Sequence, residues 1–150
     1  MTLRQRLRLL SVSTFLNALA CARNQAPPSD IPRQATFDQE LSWAILVYFT
    51  TNQSSTVGIS YELLRKEPTI TGLAYPKYYV WVEVRSDWKL VQAGAARLAA
   101  FRGSLAVTDF LSAEAIRSDT TTVAAIFPMA LIHGITRRAR RVHLTPKRGA

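Results

Sequence analysis

Cysteine and histidine are almost absent from this chain of 150 residues, which has Cys21, His133 and His143 and no others. A single thiol excludes a disulfide framework. The two histidines stand ten residues apart, far downstream of Cys21, and no CxxC or HExxH spacing occurs, so no metal site is expected. The Gly-rich phosphate loop and the G-x-S-x-G elbow are missing as well. No catalytic residues and no cofactor are therefore expected. Acidic residues are missing from both ends: 1–20 hold Arg4, Arg6 and Arg8, and 137–150 hold Arg137, Arg138, Arg140, Arg141, Lys147 and Arg148. The formal charge of +9 resides in these ends, and residues 21–136 balance 10 basic against 10 acidic side chains. A neutral body disfavours a nucleic-acid surface spread over the whole domain. Outside the N-terminus, no run approaches the roughly 18–20 apolar residues of a membrane-spanning helix.

What is present is the balance of a folded protein, with 48% hydrophobic and 19% charged residues. Three arginines in residues 1–8, an uncharged stretch rich in Leu and Ala from Leu9 to Ala20, and Ala18-Leu19-Ala20 form the three-part plan of a secretory signal peptide. The next residue is the chain's only cysteine, and Ala18-Leu19-Ala20-Cys21 resembles the lipobox of bacterial lipoproteins. The resemblance implies lipidation of Cys21, whose thiol is the nucleophile for the thioether bond, and more than one acyl chain suffices for stable anchoring. The match departs from the family pattern by one register, since that pattern favours Leu three residues before the cysteine and a small residue two before it. Ordinary cleavage near Ala20 is the alternative. A mitochondrial presequence would spread its arginines along a helix, whereas these cluster at 4–8 and then stop until Arg23. The expected location is thus the exported side of a cell envelope, periplasmic or membrane-anchored.

Residues 21–35 contain Pro27, Pro28 and Pro32 among polar residues and read as an extended linker. Residues 36–136 then form one domain, followed by the basic tail 137–150. Phe37, Leu41, Ala44, Ile45, Tyr48 and Phe49 share one face of a helix of about 14 residues, and Thr36 with Gln39 suggests a capping box. Alternation over Val57, Ile59, Tyr61 and Leu63 predicts a strand with one buried face, and a further strand is expected at 70–73. From Tyr78 to Val84 both alternating sets are large, so that strand is expected to be central or covered on both sides. Ser86-Asp87 reads as a turn with a strand restarting at Trp88, and 95–101 with 105–110 as a hairpin around Arg102-Gly103-Ser104. Ser112 offers a helix cap and Pro128 a helix start, with that last helix running to about Arg141. The class is α+β: an N-terminal helix, a four- or five-stranded, mostly antiparallel sheet, and C-terminal helices, with the helices covering one sheet face. The order is similar to that of cystatin-like and nuclear-transport-factor-like domains, an analogy of order alone that fixes no function.

Five of the fourteen aromatic residues lie between Tyr75 and Trp88. With one sheet face covered, Tyr78, Tyr79 and Trp81 are candidate contact residues, because such rings supply rigid area with a polar tip; the competing reading places them in the core. Asp109 is in phase with apolar Leu105 and Val107 and would need a partner or a purpose if buried. It serves either a ligand pocket between helix and sheet or a local ion pair with Arg97 or Arg102. Arg137, Arg138, Arg140 and Arg141 suit an anionic surface such as lipid headgroups, and Asn52-Gln53-Ser54 fits a glycosylation sequon. The expectation is a non-catalytic module for a protein partner or small ligand. The alternative is a small ligand-binding or enzymatic domain with a cone-shaped pocket, and a third reading, an RNA-associated organellar protein, rests on the basic ends alone.

Overall fold

The computed structural model describes residues 30–51, 58–70 and 74–143. Cys21, the signal-like segment, most of the linker, the sequon and the end of the basic tail lie outside the described residues. Helix α1 (Phe37–Thr50) is followed by strands β1 (Gly58–Leu63), β2 (Lys77–Ser86), β3 (Lys89–Phe101) and β4 (Ser104–Ser112). Helices α2 (Ala113–Ser118), α3 (Thr120–Ile126) and α4 (Met129–Arg141) complete the chain order. The strands form one antiparallel meander in the order β1-β2-β3-β4, so the α+β class holds.

Strand β2 dictates the architecture. Tyr78, Val80, Val82 and Val84 point to one face and Tyr79 and Trp81 to the other, and all six are buried. A strand apolar on both sides must be covered on both, which α1 alone cannot do. Leu41, Ala44, Ile45 and Phe49 of α1 pack with the first set, together with Ala96, Leu98, Ala100 and Leu105. On the other face Ile116, Val123, Phe127, Ile135 and Ala139, from or adjoining the three C-terminal helices, pack against Tyr79, Trp81, Ala93 and Ala95. The expectation that helices cover a single face is overturned, and the likeness to cystatin-like and nuclear-transport-factor-like domains goes no further than element order.

Helix α1 has its expected length, but its capping box does not form. The turn before it folds Thr36 back, so that both Thr36 N and Thr36 Oγ1 donate to Arg33 O, at 2.9 and 3.3 Å, and no side chain caps the helix. The entry segment is part of the fold: Pro32 is buried, and Asp30 accepts hydrogen bonds from Arg102 N (3.1 Å) and Gly103 N (3.3 Å). The folded unit also passes the boundary at residue 136. Ala139 is fully buried, and Arg117 Nη1 donates to Ala139 O at 2.7 Å, satisfying a carbonyl at the end of α4 that the helix cannot pair itself. Pro128 precedes α4 as its cap rather than its first residue.

Both tight hairpins place two residues in the left-handed region, the pattern that matches strand twist. They are Asp87 (φ 49°) with Trp88 (φ 65°), and Arg102 (φ 50°) with Gly103 (φ 81°). Trp88 is therefore a turn residue and not the start of a strand. Of the strand expected at 70–73, residues 71–73 lie outside the described residues; just before it, Thr69 forms an isolated bridge with Lys77. Between β3 and β4, Gly94 is required by proximity: a Cβ there would lie 2.1 Å from Leu111 O and 2.8 Å from Phe110 Cζ.

The helical pattern after Ser112 breaks into two short helices. Ser112 Oγ accepts from Ala115 N at 3.1 Å, as expected of a cap, and Asp119 then ends α2 and starts α3. The Asp119 carboxylate accepts hydrogen bonds from the Thr121 and Thr122 hydroxyls and from both backbone N–H groups, which pulls its pKa from 3.8 to about 2.

Two predictions follow from this packing. Gly94→Ala should lower unfolding stability in urea by at least about 2 kcal/mol, the scale of overpacking against backbone. For Asp119 the folded pKa lies below the unfolded one, so its contribution is present above pH 3.8 and is lost as pH falls through about 2. Its carboxyl signal in an NMR titration should have a midpoint near 2, and Asp119→Asn should flatten the stability profile in that window alone.

Candidate functional site

The three rings expected at a contact surface are core residues. Tyr78, Tyr79 and Trp81 are each at most 4% exposed. Tyr78 meets Phe37 of α1 at 4.9 Å between centroids, and Tyr79 meets Phe127 at 5.9 Å. The space between α1 and the sheet, where a cone-shaped pocket would sit, is filled by Leu41, Ile45, Phe49 and Tyr78 with their neighbours.

Asp109 does not face that space, and a β-bulge is the reason. Arg97 pairs with Asp109 while the next residue, Leu98, pairs with Val107, which leaves Thr108 without an opposite partner. The extra residue reverses the alternation, so Leu105 and Val107 face α1 while Asp109 faces the C-terminal helices beside Arg97. Arg97 Nε and Nη2 both reach Asp109 Oδ2 at 2.6 Å, and Arg97 Nη1 donates to Ile126 O at 3.4 Å. The pair is partly screened from water, each side chain being 24% exposed. It clamps β4 and the end of α3 onto β3, which is the local ion-pair role.

The four tail arginines divide. Arg138 makes a bidentate pair with Glu62 of β1, Nη1 to Oε2 at 2.7 Å and Nη2 to Oε1 at 2.6 Å. Those hydrogen bonds hold the Glu62 carboxyl below the ordinary carboxylate range. Beside them a shallow depression of about 240 Å³ has Trp81 in its lining together with Glu83, which is itself paired with Arg85 at 2.7 Å. Arg137, Arg140 and Arg141 stay exposed on the outer side of α4, where Arg137 and Arg140 line an open surface with His133, Met129, Ile132 and Thr136. His143 is also exposed. Among the described residues no three His, Cys, Asp or Glu side chains converge as metal ligands, and no helix is long and apolar enough to cross a membrane.

Two exposed apolar features escape the sequence reading. Along the outside of α1, Trp43 is 63% exposed, and Leu46 and Val47 are exposed beside it; Tyr48, expected on the buried face, is half exposed at its margin, with its ring against Phe49 (5.0 Å) and Phe110 (6.3 Å). Positions i, i+3 and i+4 give this helix a second apolar stripe behind the buried one. The second feature is Trp88, 96% exposed at the β2–β3 hairpin tip in a left-handed backbone conformation. A bulky residue held there costs roughly 1–2 kcal/mol, and such strain clusters at functional positions. A signal for the α1 stripe did exist: the segment Trp43-Ala44-Ile45-Leu46-Val47-Tyr48-Phe49 has no polar residue, more than one buried face needs.

No protein-family model matches the chain, and neither curated proteins nor solved structures yield a match.

Replacing Trp88 tests whether its position is held for something other than stability. Trp88→Gly should raise the unfolding free energy by a few tenths to about 1 kcal/mol, the relief of left-handed strain less the entropy of a freer unfolded chain, read as a shift in urea midpoint at constant slope.

Proposed function

We propose that the protein is a small exported envelope protein, anchored through lipid on Cys21, whose α+β domain is a non-catalytic module that binds a protein partner. The observation that carries the binding part of this reading is the uncovered apolar stripe Trp43, Leu46 and Val47 on α1. Contiguous exposed apolar area on a folded domain marks an interaction surface, and a central Trp is the residue type that anchors one. Trp88 adds a second rigid contact at a hairpin tip. The exposed Arg137, Arg140 and Arg141 supply uncompensated positive charge for an acidic surface, acting on encounter rate and salt dependence more than on affinity.

Export and anchoring are supported by the order of basic, apolar and small residues ending at Cys21, and by the Pro-containing stretch that separates it from the fold. The domain supports the second half independently. Asp109, the carboxylate expected at a pocket, is committed to Arg97, and Glu62, beside the depression next to Trp81, to Arg138.

Intact mass of the full chain recovered from membrane and soluble fractions of a Gram-negative host tests the first half. A membrane form beginning at Cys21 with added lipid mass is expected; a soluble chain still beginning at Met1 overturns export. For the second half, a photocrosslinker at Trp43 should give a discrete adduct in envelopes that disappears with Leu46→Ser and Val47→Ser in the same chain. Absence of any adduct, with the fold intact by circular dichroism, overturns the α1 surface.

A further inference from the structure

The end of the domain at which the chain enters gathers several exposed apolar side chains. Asp30 is pinned to the β3–β4 turn through Arg102 N and Gly103 N. Immediately before that turn Phe101 is half exposed, with its ring edge-on to half-exposed Tyr75 at 5.0 Å. The Arg102 guanidinium carbon stands 4.9 Å from the Phe101 ring centre. The hydrogen bond from Ala100 N to Pro76 O (2.8 Å) fastens the Tyr75 loop to the end of β3. Ile70, exposed, follows the Thr69–Lys77 bridge, and Lys77 pairs with Ala99 at this same end of the sheet. One pole thus presents an aliphatic side chain, two aromatic rings and an arginine, all exposed.

We propose that this pole is the membrane-facing end of the domain, with Ile70, Tyr75 and Phe101 seated in the interfacial layer of the bilayer and Arg102 on its phosphates. The proposal rests on the anchored reading of Cys21. Eight residues, 22–29, separate that cysteine from the pinned Asp30, and the nine steps between the two span at most about 32 Å fully extended. Whatever holds Cys21 at a surface therefore holds the Asp30 pole close to it. Strand β3 runs thirteen residues from that pole to the other hairpin, about 40 Å at roughly 3.3 Å per residue, so Trp88 is carried away from the bilayer. Rings and aliphatic side chains rimmed by arginine are what the interface of a membrane takes up, the apolar part toward the acyl chains and the guanidinium at headgroup level. The orientation leaves α1 and α4, which lie on the two faces of the sheet, along the flanks and open to a partner.

The test uses the full chain in its lipid-modified form. Lipid consumes the only native thiol, so Tyr75→Cys, His133→Cys and Lys89→Cys variants each carry one free thiol for an environment-sensitive fluorophore. Each labelled protein, its lipid verified by intact mass, is placed in phosphatidylcholine–phosphatidylglycerol vesicles whose acyl chains are brominated. Quenching is expected at position 75, on the pole, and at neither 133, on the outer side of α4, nor 89, at the far hairpin; Phe101→Cys repeats the measurement from the second ring. Quenching at 133 in place of 75 would mean that the basic flank lies on the bilayer, and quenching at none of them that the domain stands clear; each overturns the proposal while the anchor stands. A chain carrying no lipid mass defeats the anchor reading, and the orientation falls with it.

Discussion

Strand β2 has no polar side in its central run from Tyr78 to Val82, and the rest of the fold follows from the need to keep water off both of its faces. An antiparallel sheet with one solvated face needs a single layer of helix. Here two layers are required, and the chain supplies them from opposite ends, α1 before the meander and α2 to α4 after it. The neighbouring strand answers with small residues. Ala93, Ala95, Ala96 and Ala100 of β3 are fully buried and leave room for the larger side chains of β2 and the helices to interdigitate above and below. Gly94 continues this logic to its limit, since the Phe110 ring and the Leu111 carbonyl occupy the volume that any side chain would take.

Polar groups hold the seams where the layers meet. Arg97 with Asp109 joins β3 to β4 and reaches the end of α3, Arg138 with Glu62 ties α4 to the edge strand β1, and the Ser42 and Tyr61 hydroxyls, 2.6 Å apart, tie α1 to that same strand. An exposed ion pair such as Arg138 with Glu62 contributes little stability by itself, up to about 1 kcal/mol. The effect of these pairs is on register and docking angle, because each pair fixes a helix against a particular strand position. Among the described residues no buried side-chain nitrogen or oxygen is left without a hydrogen bond.

Much of this was legible in residue order, for physical reasons that differ by element. The period of α1, the two-sided β2, the 101–104 hairpin and the Ser112 cap are local patterns, and each formed where its own residues placed it. What could not be read depended on distant partners. A second covered face requires knowing that α2 to α4 fold back over Tyr79 and Trp81, and without that cover the rings looked like a surface. The orientation of Asp109 turned on one unpaired residue, Thr108, which alternation counted along a single strand cannot detect. The separation of Arg138 from the other three arginines needed Glu62, seventy-six residues away. Trp88 was misplaced for a local reason: Asp87 suits the first left-handed position of a hairpin turn, but Trp stands at the second, where glycine is the usual mark.

The arrangement of covers has a consequence in time as well as in space. During synthesis, residues 37–112 emerge before α2, α3 and α4, so the half of the domain holding α1 and the meander can collapse while Tyr79, Trp81, Ala93 and Ala95 remain bare. A twisted sheet with one naked apolar side and open edges is the kind of species that self-associates. The last helix closes that interval, because Ile135 and Ala139 are among the residues that seal the face. Until α4 has followed the meander one apolar side of the sheet stays uncovered, and whatever accompanies the chain over that interval has to shield it.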